Sequence, residues 1–246
     1  YKEADSLLEK SYEMALANYG ETNKIAGDHL FTLLQQYNRV GNYKESISLY
    51  PKLLKIDSIT YGMGYNYAVS LADYASALAK DGQLKKSELN LRSAIQTLKN
   101  SDGPNTYAYG MLVWDLGSVA EKQSYFEKAH ILYDSALPII EKFMPENHPR
   151  VGNYQRHYAL FLFEQKDFAM SNKYFTRAID NYQYNYAKDQ PARLSKMRFE
   201  YAKCLVKQNL TDSARNLLET NTSLVATGAN DTLWQTKIDS LLSTLN

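Results

Sequence analysis

Small and large apolar positions recur along this chain with a period of about 42 residues. In each copy a large apolar residue follows a small residue by four positions, and in most copies another small residue follows by seven. Offsets of four and seven lie on one face of an α-helix. The small residues are separated by 42, 41, 42, 42 and 43 positions and are Ala4, Ser46, Ser87, Ala129, Ser171 and Ala214. The pattern predicts six copies of one helical unit.

A turn and a second helix precede the small residue of each copy. Twelve positions before it is another mostly small residue, as at Ala75, Gly117 and Ala159. Five positions before it is a turn position, occupied in successive copies by Gly41, Gly82, Ser124, Lys166 and Asn209. Each unit is thus predicted to be a helix A, a short turn and a helix B, and the alternation typical of strands is absent.

These units predict an all-α fold, a superhelical solenoid of antiparallel helix pairs with about six repeats. The repeat array is expected to cover residues 1–229, with unit boundaries near residues 22, 63, 104, 149 and 191. Pro104, Pro149 and Pro191 lie at three of these boundaries, where a residue that cannot continue a helix is expected.

The last segment, residues 230–246, breaks the pattern. Trp234, Ile238, Leu241 and Leu245 nevertheless share one helical stripe in it. A solenoid needs an end unit to cover the apolar face of its last repeat. The segment is therefore predicted to be a C-terminal capping helix.

Length and charge limit the class of protein. The chain has 246 residues, with 28 Lys and Arg against 27 Asp and Glu, a net charge of +1. A dedicated nucleic-acid binder needs a basic excess, so nucleic acid is not an expected partner. No stretch of 18 apolar residues is present, so no membrane insertion is expected. Tyr1 opens within a unit and no signal peptide is visible, so we expect a cytoplasmic fragment of a longer protein.

Motifs for catalysis and cofactor binding are absent from the sequence. It has no GxxxxGKS/T or GxGxxG loop and no HExxH pair. The single cysteine, Cys204, shares an apolar helix A position with Ala77, Val119 and Phe161, which predicts a buried thiol rather than a nucleophile. We therefore expect no enzyme activity, no metal and no cofactor in this chain.

One segment carries a family resemblance. His148–Ala178, HPRVGNYQRHYALFLFEQKDFAMSNKYFTRA, resembles a unit of the long, 42-residue variety of tetratricopeptide repeat (TPR) found in kinesin light chains. The shared features are the His-Pro entry, Ala159 in helix A, Phe168 at the turn and Phe175 in helix B. The resemblance extends over nearly the whole chain and implies a TPR-like solenoid with a right-handed superhelix.

The sequence departs from the family at one position of helix A. The usual aromatic residue is replaced in successive repeats by Leu30, Leu71, Val113, Gln155 and Arg198. Because Gln155 and Arg198 are polar, they predict looser packing in their repeats.

The resemblance implies a protein-interaction scaffold, and two alternatives stay open. Similar arrays occur in kinesin light chains, in bacterial signalling proteins, and beside CHAT-type protease or Ser/Thr kinase domains. The chain is thus alternatively the regulatory or recruiting region of a larger bacterial signalling enzyme. A third possibility is a structural module that associates with itself, and the oligomeric state is open.

The A helices of such an array would line its concave groove. The residues expected there lie 15, 11, 8 or 7 positions before each small residue. They are Phe31, Gln35, Asn38, Arg39, Ser76, Lys80, Trp114, Ser118, Lys122, Arg156, Phe163, Phe199, Lys203 and Lys207. Since aromatic residues and Arg dominate binding at interfaces, this largely cationic set predicts an acidic peptide or protein partner with apolar anchors. The competing interpretation assigns Trp114 and Phe163 to the core.

Overall fold

The described part of the chain consists of α-helices in consecutive pairs, joined by short connections. In a computed structural model, the backbone is described for residues 2–227 and 232–244, and the side chains for residues 3–220 and 236–244. The B helices are α1 (Lys2–Tyr19), α3 (Tyr43–Thr60), α5 (Leu84–Ser101), α7 (Phe126–Phe143), α9 (Phe168–Tyr186) and α11 (Thr211–Thr227). The A helices are α2 (Lys24–Val40), α4 (Tyr65–Lys80), α6 (Tyr107–Lys122), α8 (Pro149–Glu164) and α10 (Pro191–Lys207), and α12 (Thr232–Ser243) follows the last B helix. The predicted all-α class of helix pairs is confirmed.

The turn between each A helix and its B helix has one backbone conformation. The five turn residues all have positive φ, between 61° and 87°: Gly41, Gly82, Ser124, Lys166 and Asn209. The next residue donates its backbone N–H to the carbonyl five positions earlier, as from Tyr125 to Ala120 (2.9 Å) and from Asp167 to Leu162 (2.9 Å). This bond satisfies carbonyls that the helix end leaves without partners. The turn positions found in the sequence are therefore left-handed helix caps.

In α3, α5, α7, α9 and α11, the small residue of the B helix sets how closely this helix approaches the A helix before it. This position is fully buried at Ser46, Ser87, Ala129, Ser171 and Ala214. Two of its serines also donate hydrogen bonds to an A-helix carbonyl, Ser87 to Ala75 (2.7 Å) and Ser171 to Ala159 (2.8 Å). A small side chain at this position thus allows tight helix contact.

The chain divides into two compact units, residues 1–139 and 140–246. In the first, one apolar cluster joins α1, α2 and α3 and another joins α4, α5 and α6. In the second, a cluster built around Ala202, Leu205, Ala214 and Leu218 includes Ile238 of α12.

The helix α12 packs onto the end of the second unit. Ile238 is fully buried, and Leu241 and Leu242 pack against the same cluster. The side chain of Trp234 and all of Leu245 lie outside the described residues.

Candidate functional site

The first unit brings predicted binding residues of α2, α4 and α6 onto one exposed surface. We call this surface the A face. One of its clefts is lined by Gln35, Asn38 and Arg39 of α2 together with Lys80 of α4. A second cleft is lined mainly by residues from α4 and α6, with two from α5, and includes Ser76, Lys80, Asp115, Ser118 and Lys122. The A face therefore continues across three successive A helices.

Polar side chains of the A face have partners within the chain. Gln35 donates a hydrogen bond to the Asp73 carboxylate of α4 (2.7 Å). Asn38 donates a hydrogen bond to the hydroxyl of the buried Tyr50 (2.8 Å), which connects the cleft to the core. Arg39 is bonded to the neighbouring Gln36. Lys80 lies over the ring of Tyr43, 5.6 Å from its centre.

Sequence reasoning missed a row of carboxylates on this surface. Asp73 and Asp115 precede Lys80 and Lys122 by seven residues, a spacing that returns to the same side of a helix. The seven-residue spacing from each lysine was the signal that could have identified them. The A face therefore carries an acidic row and a basic row, with Ser76 and Ser118 between them.

The acidic row holds its charge less easily than free aspartate does. Desolvation raises the pKa of Asp73, although the hydrogen bond from Gln35 opposes this effect. Desolvation by the crowded surroundings, with the charge of Asp73, raises the pKa of Asp115 to about 7. The Asp115 side chain still reaches solvent. Its charge therefore changes near neutral pH.

Two aromatic residues predicted to bind a partner belong to the core instead. Trp114 is only 5% exposed because its ring packs 4.5 Å from that of Tyr133, between ring centres. Phe163 is 8% exposed and lies 5.6 Å from the ring of Phe168. Phe31, by contrast, is 36% exposed and is the aromatic residue that the first unit offers from the predicted set.

The corresponding side of α8 and α10 in the second unit is partly neutralised. Arg156 donates two hydrogen bonds to the Glu200 carboxylate, at 2.6 and 2.7 Å. Lys203 lies over the ring of the half-buried Phe199, and Lys207 over the ring of Phe163, at 5.9 and 5.6 Å from the ring centres. A surface that the sequence predicted to be largely basic thus has internal partners for several of its cations.

Three further observations bear on catalysis, metal binding and membrane insertion. Cys204 is buried, as predicted, and burial raises the pKa of its thiol to about 11, which leaves little reactive thiolate at neutral pH. Within the described residues, no group of three or more His, Cys, Asp or Glu side chains could hold a metal ion. No helix among those residues combines the length and apolar character needed to cross a bilayer.

Comparison with known proteins relates the chain to others by structure. No protein-family model and no curated protein matches it. BtubC (BKLC) of P. vanneervenii is similar with a TM-score of 0.79 at 15% identity, over 92% of this chain and 91% of that one. A kinesin-light-chain-type protein of Podosopora anserina with nearly identical TPR-like repeats gives 0.68 at 16% identity, over 80% and 93%.

A third similar structure is YrrB, a TPR protein with an unusual peptide-binding site. It gives a TM-score of 0.55 at 12% identity, over 91% of this chain and 95% of that one. At these identities the similarity is one of fold. The chain therefore has a TPR-like fold, as its sequence predicts.

Proposed function

We propose that this chain is a protein-interaction module whose A face binds an extended segment of a partner protein. The observation that carries the proposal is the pair of adjoining clefts across α2, α4 and α6, which share Lys80. An extended chain crossing successive A helices would meet equivalent side chains at each repeat. The peptide-binding site of YrrB, a protein of the same fold, supports a ligand of this class.

The charges of the A face define what the segment would carry. Acidic side chains of the partner would face Arg39, Lys80 and Lys122, and Phe31 would serve as the exposed aromatic anchor. The Asp73 and Asp115 row would repel a uniformly acidic segment along its other edge. The proposed partner therefore combines acidic side chains on one edge with neutral or basic ones on the other, since complementary charge gives specificity.

The serine row suits a bound backbone. Ser76 is exposed and Ser118 is partly exposed, each between a carboxylate and a lysine on its own helix. A hydroxyl can both donate and accept a hydrogen bond, so these side chains could pair with the amide groups of an extended segment. Such pairing would give affinity independent of the partner's sequence.

A peptide-display selection against the whole chain would test the proposal. Selected peptides should bind the triple variant Arg39→Glu, Lys80→Glu, Lys122→Glu at least about tenfold more weakly, a change of ~1.4 kcal/mol. The matched control is Lys52→Glu, Lys86→Glu, Lys99→Glu, which makes the same charge change at exposed B-helix positions. Calorimetry on wild type and both variants provides the measurement.

The control separates a site from general charge attraction. Binding that persists in the control and is lost in the A-face variant supports the A face. Equal affinity of the selected peptides for wild type and the A-face variant would refute the proposal, and so would equal weakening in both variants.

A further inference from the structure

A separate cavity of about 220 Å³ opens at one end of α2. It lies among α2, the end of α3 and the start of α4, and Gly27 marks where α2 and α3 come close. A Cβ at Gly27 would lie 2.8 Å from a methyl carbon of Ile56. Sites for drug-sized ligands usually occupy about 300–1,000 Å³, so this cavity suits one side chain.

Aromatic rings form the rim of the cavity. Phe31, Tyr61 and Tyr65 line it, and all three side chains are exposed. The two tyrosines flank the short connection between α3 and α4, so their rings belong to separate helix ends. Exposed rings of this kind attract cations through the negative potential of their faces.

Carboxylates supply the charge of the cavity. Asp28 and Asp57 both line it, and Asp57 is only 6% exposed. The Asp57 carboxylate accepts a hydrogen bond from Ser70 (2.5 Å). Among the described residues, neither aspartate forms an ion pair with a Lys, Arg or His side chain. Desolvation raises the pKa of Asp57, and the charge of Asp28 adds to this effect.

One lysine of the chain already lies over one of these rings. Lys24 lines the cavity, and its ammonium lies over the Tyr61 ring, 5.8 Å from the centre. One cationic group of the chain therefore already lies at the rim. Lys24 does not neutralise the buried carboxylate, because no ion pair joins the two. A buried carboxylate without a cationic partner is costly, and an entering cation would relieve that cost.

We propose that this cavity binds the basic side chain, Lys or Arg, of a partner protein. The aliphatic stem would lie against Phe31, Tyr61 and Tyr65, and the charged end would face Asp28 and Asp57. The occupant is cationic because two carboxylates outnumber the single lysine that lines the cavity. The site deepens the proposed function, since Phe31 joins it to the A face, but it can be tested without any peptide.

Small cations provide the probe. Titration of the whole chain with n-butylammonium or methylguanidinium, followed by NMR of the Ile56 methyl and Tyr61 ring signals, should give saturable shifts with a dissociation constant on the order of 1 mM. The neutral analogues 1-butanol and N-methylurea should bind at least tenfold more weakly. Equal binding of neutral and cationic probes would overturn the proposal.

Variants with opposite expected effects complete the test. Asp57→Asn and Tyr61→Leu should each weaken butylammonium binding about tenfold, whereas Lys24→Ala should strengthen it about threefold by removing a competing cation. Lys99→Ala, at an exposed position of α5, is the control and should change nothing. If Asp57→Asn fails to fold, Tyr65→Leu at the exposed rim serves in its place.

The outcomes separate this proposal from the one before it. The A-face variant Arg39→Glu, Lys80→Glu, Lys122→Glu should keep full affinity for butylammonium, because none of its three positions lines the cavity. Peptide binding that is as tight in the A-face variant as in wild type, with intact cation binding, would refute only the A face. Cation binding that is unaffected by Asp57→Asn and Tyr61→Leu, or weakened by Lys24→Ala, would refute only the cavity.

Discussion

Equivalent positions in successive repeats acquire different chemistry from their neighbours. Tyr50 and Tyr133 both stand four residues after the small position and are fully buried. Tyr133 donates its hydroxyl to Glu121 (2.5 Å), whereas Tyr50 accepts a hydrogen bond from Asn38 (2.8 Å). Phe175, at the same position in a later repeat, has no hydroxyl and stacks on Tyr201 at 4.7 Å between ring centres. The position stays in the core in each of these repeats, and only the contacts of its side chain differ.

The Asp115 carboxyl gives a pH-dependent prediction. Its raised pKa, about 7 against 3.8 for the free group, means that the folded state binds a proton more tightly than the unfolded state. The free energy of unfolding therefore falls as pH rises from about 4 to about 7. The variant Asp115→Asn lacks the titrating group and so lacks this fall in stability. The difference between its melting temperature and that of wild type should therefore increase from pH 4 to pH 7 and then stay constant.

Thermal melts by circular dichroism at pH 4 and pH 8 measure this difference. Asp134→Asn makes the same chemical change at an exposed position of α7 and serves as the control. The relative stability of Asp115→Asn should respond to pH more than that of the control. A response of equal size in both variants would contradict the role assigned to Asp115.

At the scale of the element, the turns between A and B helices repeat a strained conformation. Glycine adopts positive φ without steric cost, but Ser124, Lys166 and Asn209 adopt it with a Cβ. For residues other than glycine, this conformation costs about 1–2 kcal/mol. The helix ends keep it because the following N–H reaches the carbonyl five residues earlier.

Replacing Lys166 by glycine should therefore stabilise the chain. We expect Lys166→Gly to raise the free energy of unfolding by about 1 kcal/mol, because relief of strain exceeds the greater entropy of glycine in the unfolded chain. That gain corresponds to a melting temperature roughly 2–4 °C higher. The control Lys173→Gly, at an exposed interior position of α9, should lower the melting temperature. A lower melting temperature for Lys166→Gly would contradict the expected strain.

The helices and their turns could be predicted from the sequence, because tight helix contact and left-handed caps each admit few residue types. The partners of the side chains could not. Trp114 occupies a position expected to face a ligand, but the large Tyr133 ring of the next helix covers it. Gln155 predicted loose packing, yet it is buried and donates to Glu141 (2.9 Å), which also pairs with Arg177 (3.0 Å). Such partners lie on other helices, and no local pattern specifies them.

At the scale of the whole molecule, the net charge of +1 does not reveal how charged side chains are arranged locally. The lysine and aspartate rows of the A face nearly cancel in the total, and Arg156 and Glu200 cancel as a pair. The net charge therefore argues against nucleic acid as a partner. It does not bear on the binding of a peptide segment that has its own pattern of charges. Binding on the A face should weaken as salt is added, since exposed charges are screened.

Contacts limited to neighbouring helices determine how the molecule responds to a local defect. Ile238 of α12 is fully buried against the cluster of α10 and α11. Ile238→Ala should cost about 2–4 kcal/mol through lost burial and the cavity that remains. In a repeat protein each unit contacts only its neighbours, so the loss should be local.

Hydrogen exchange measured by mass spectrometry tests this last prediction. Protection should fall in α10, α11 and α12 and stay unchanged in α2 through α5, whereas Ser240→Ala, at a nearby exposed position of α12, should leave every segment unchanged. That outcome would support α12 as the cap of the array, because only a terminal unit can open without exposing the repeats beyond it. A uniform loss of protection along the chain would instead indicate one cooperative unit, and no loss at all would mean that α12 does not cover the last repeat.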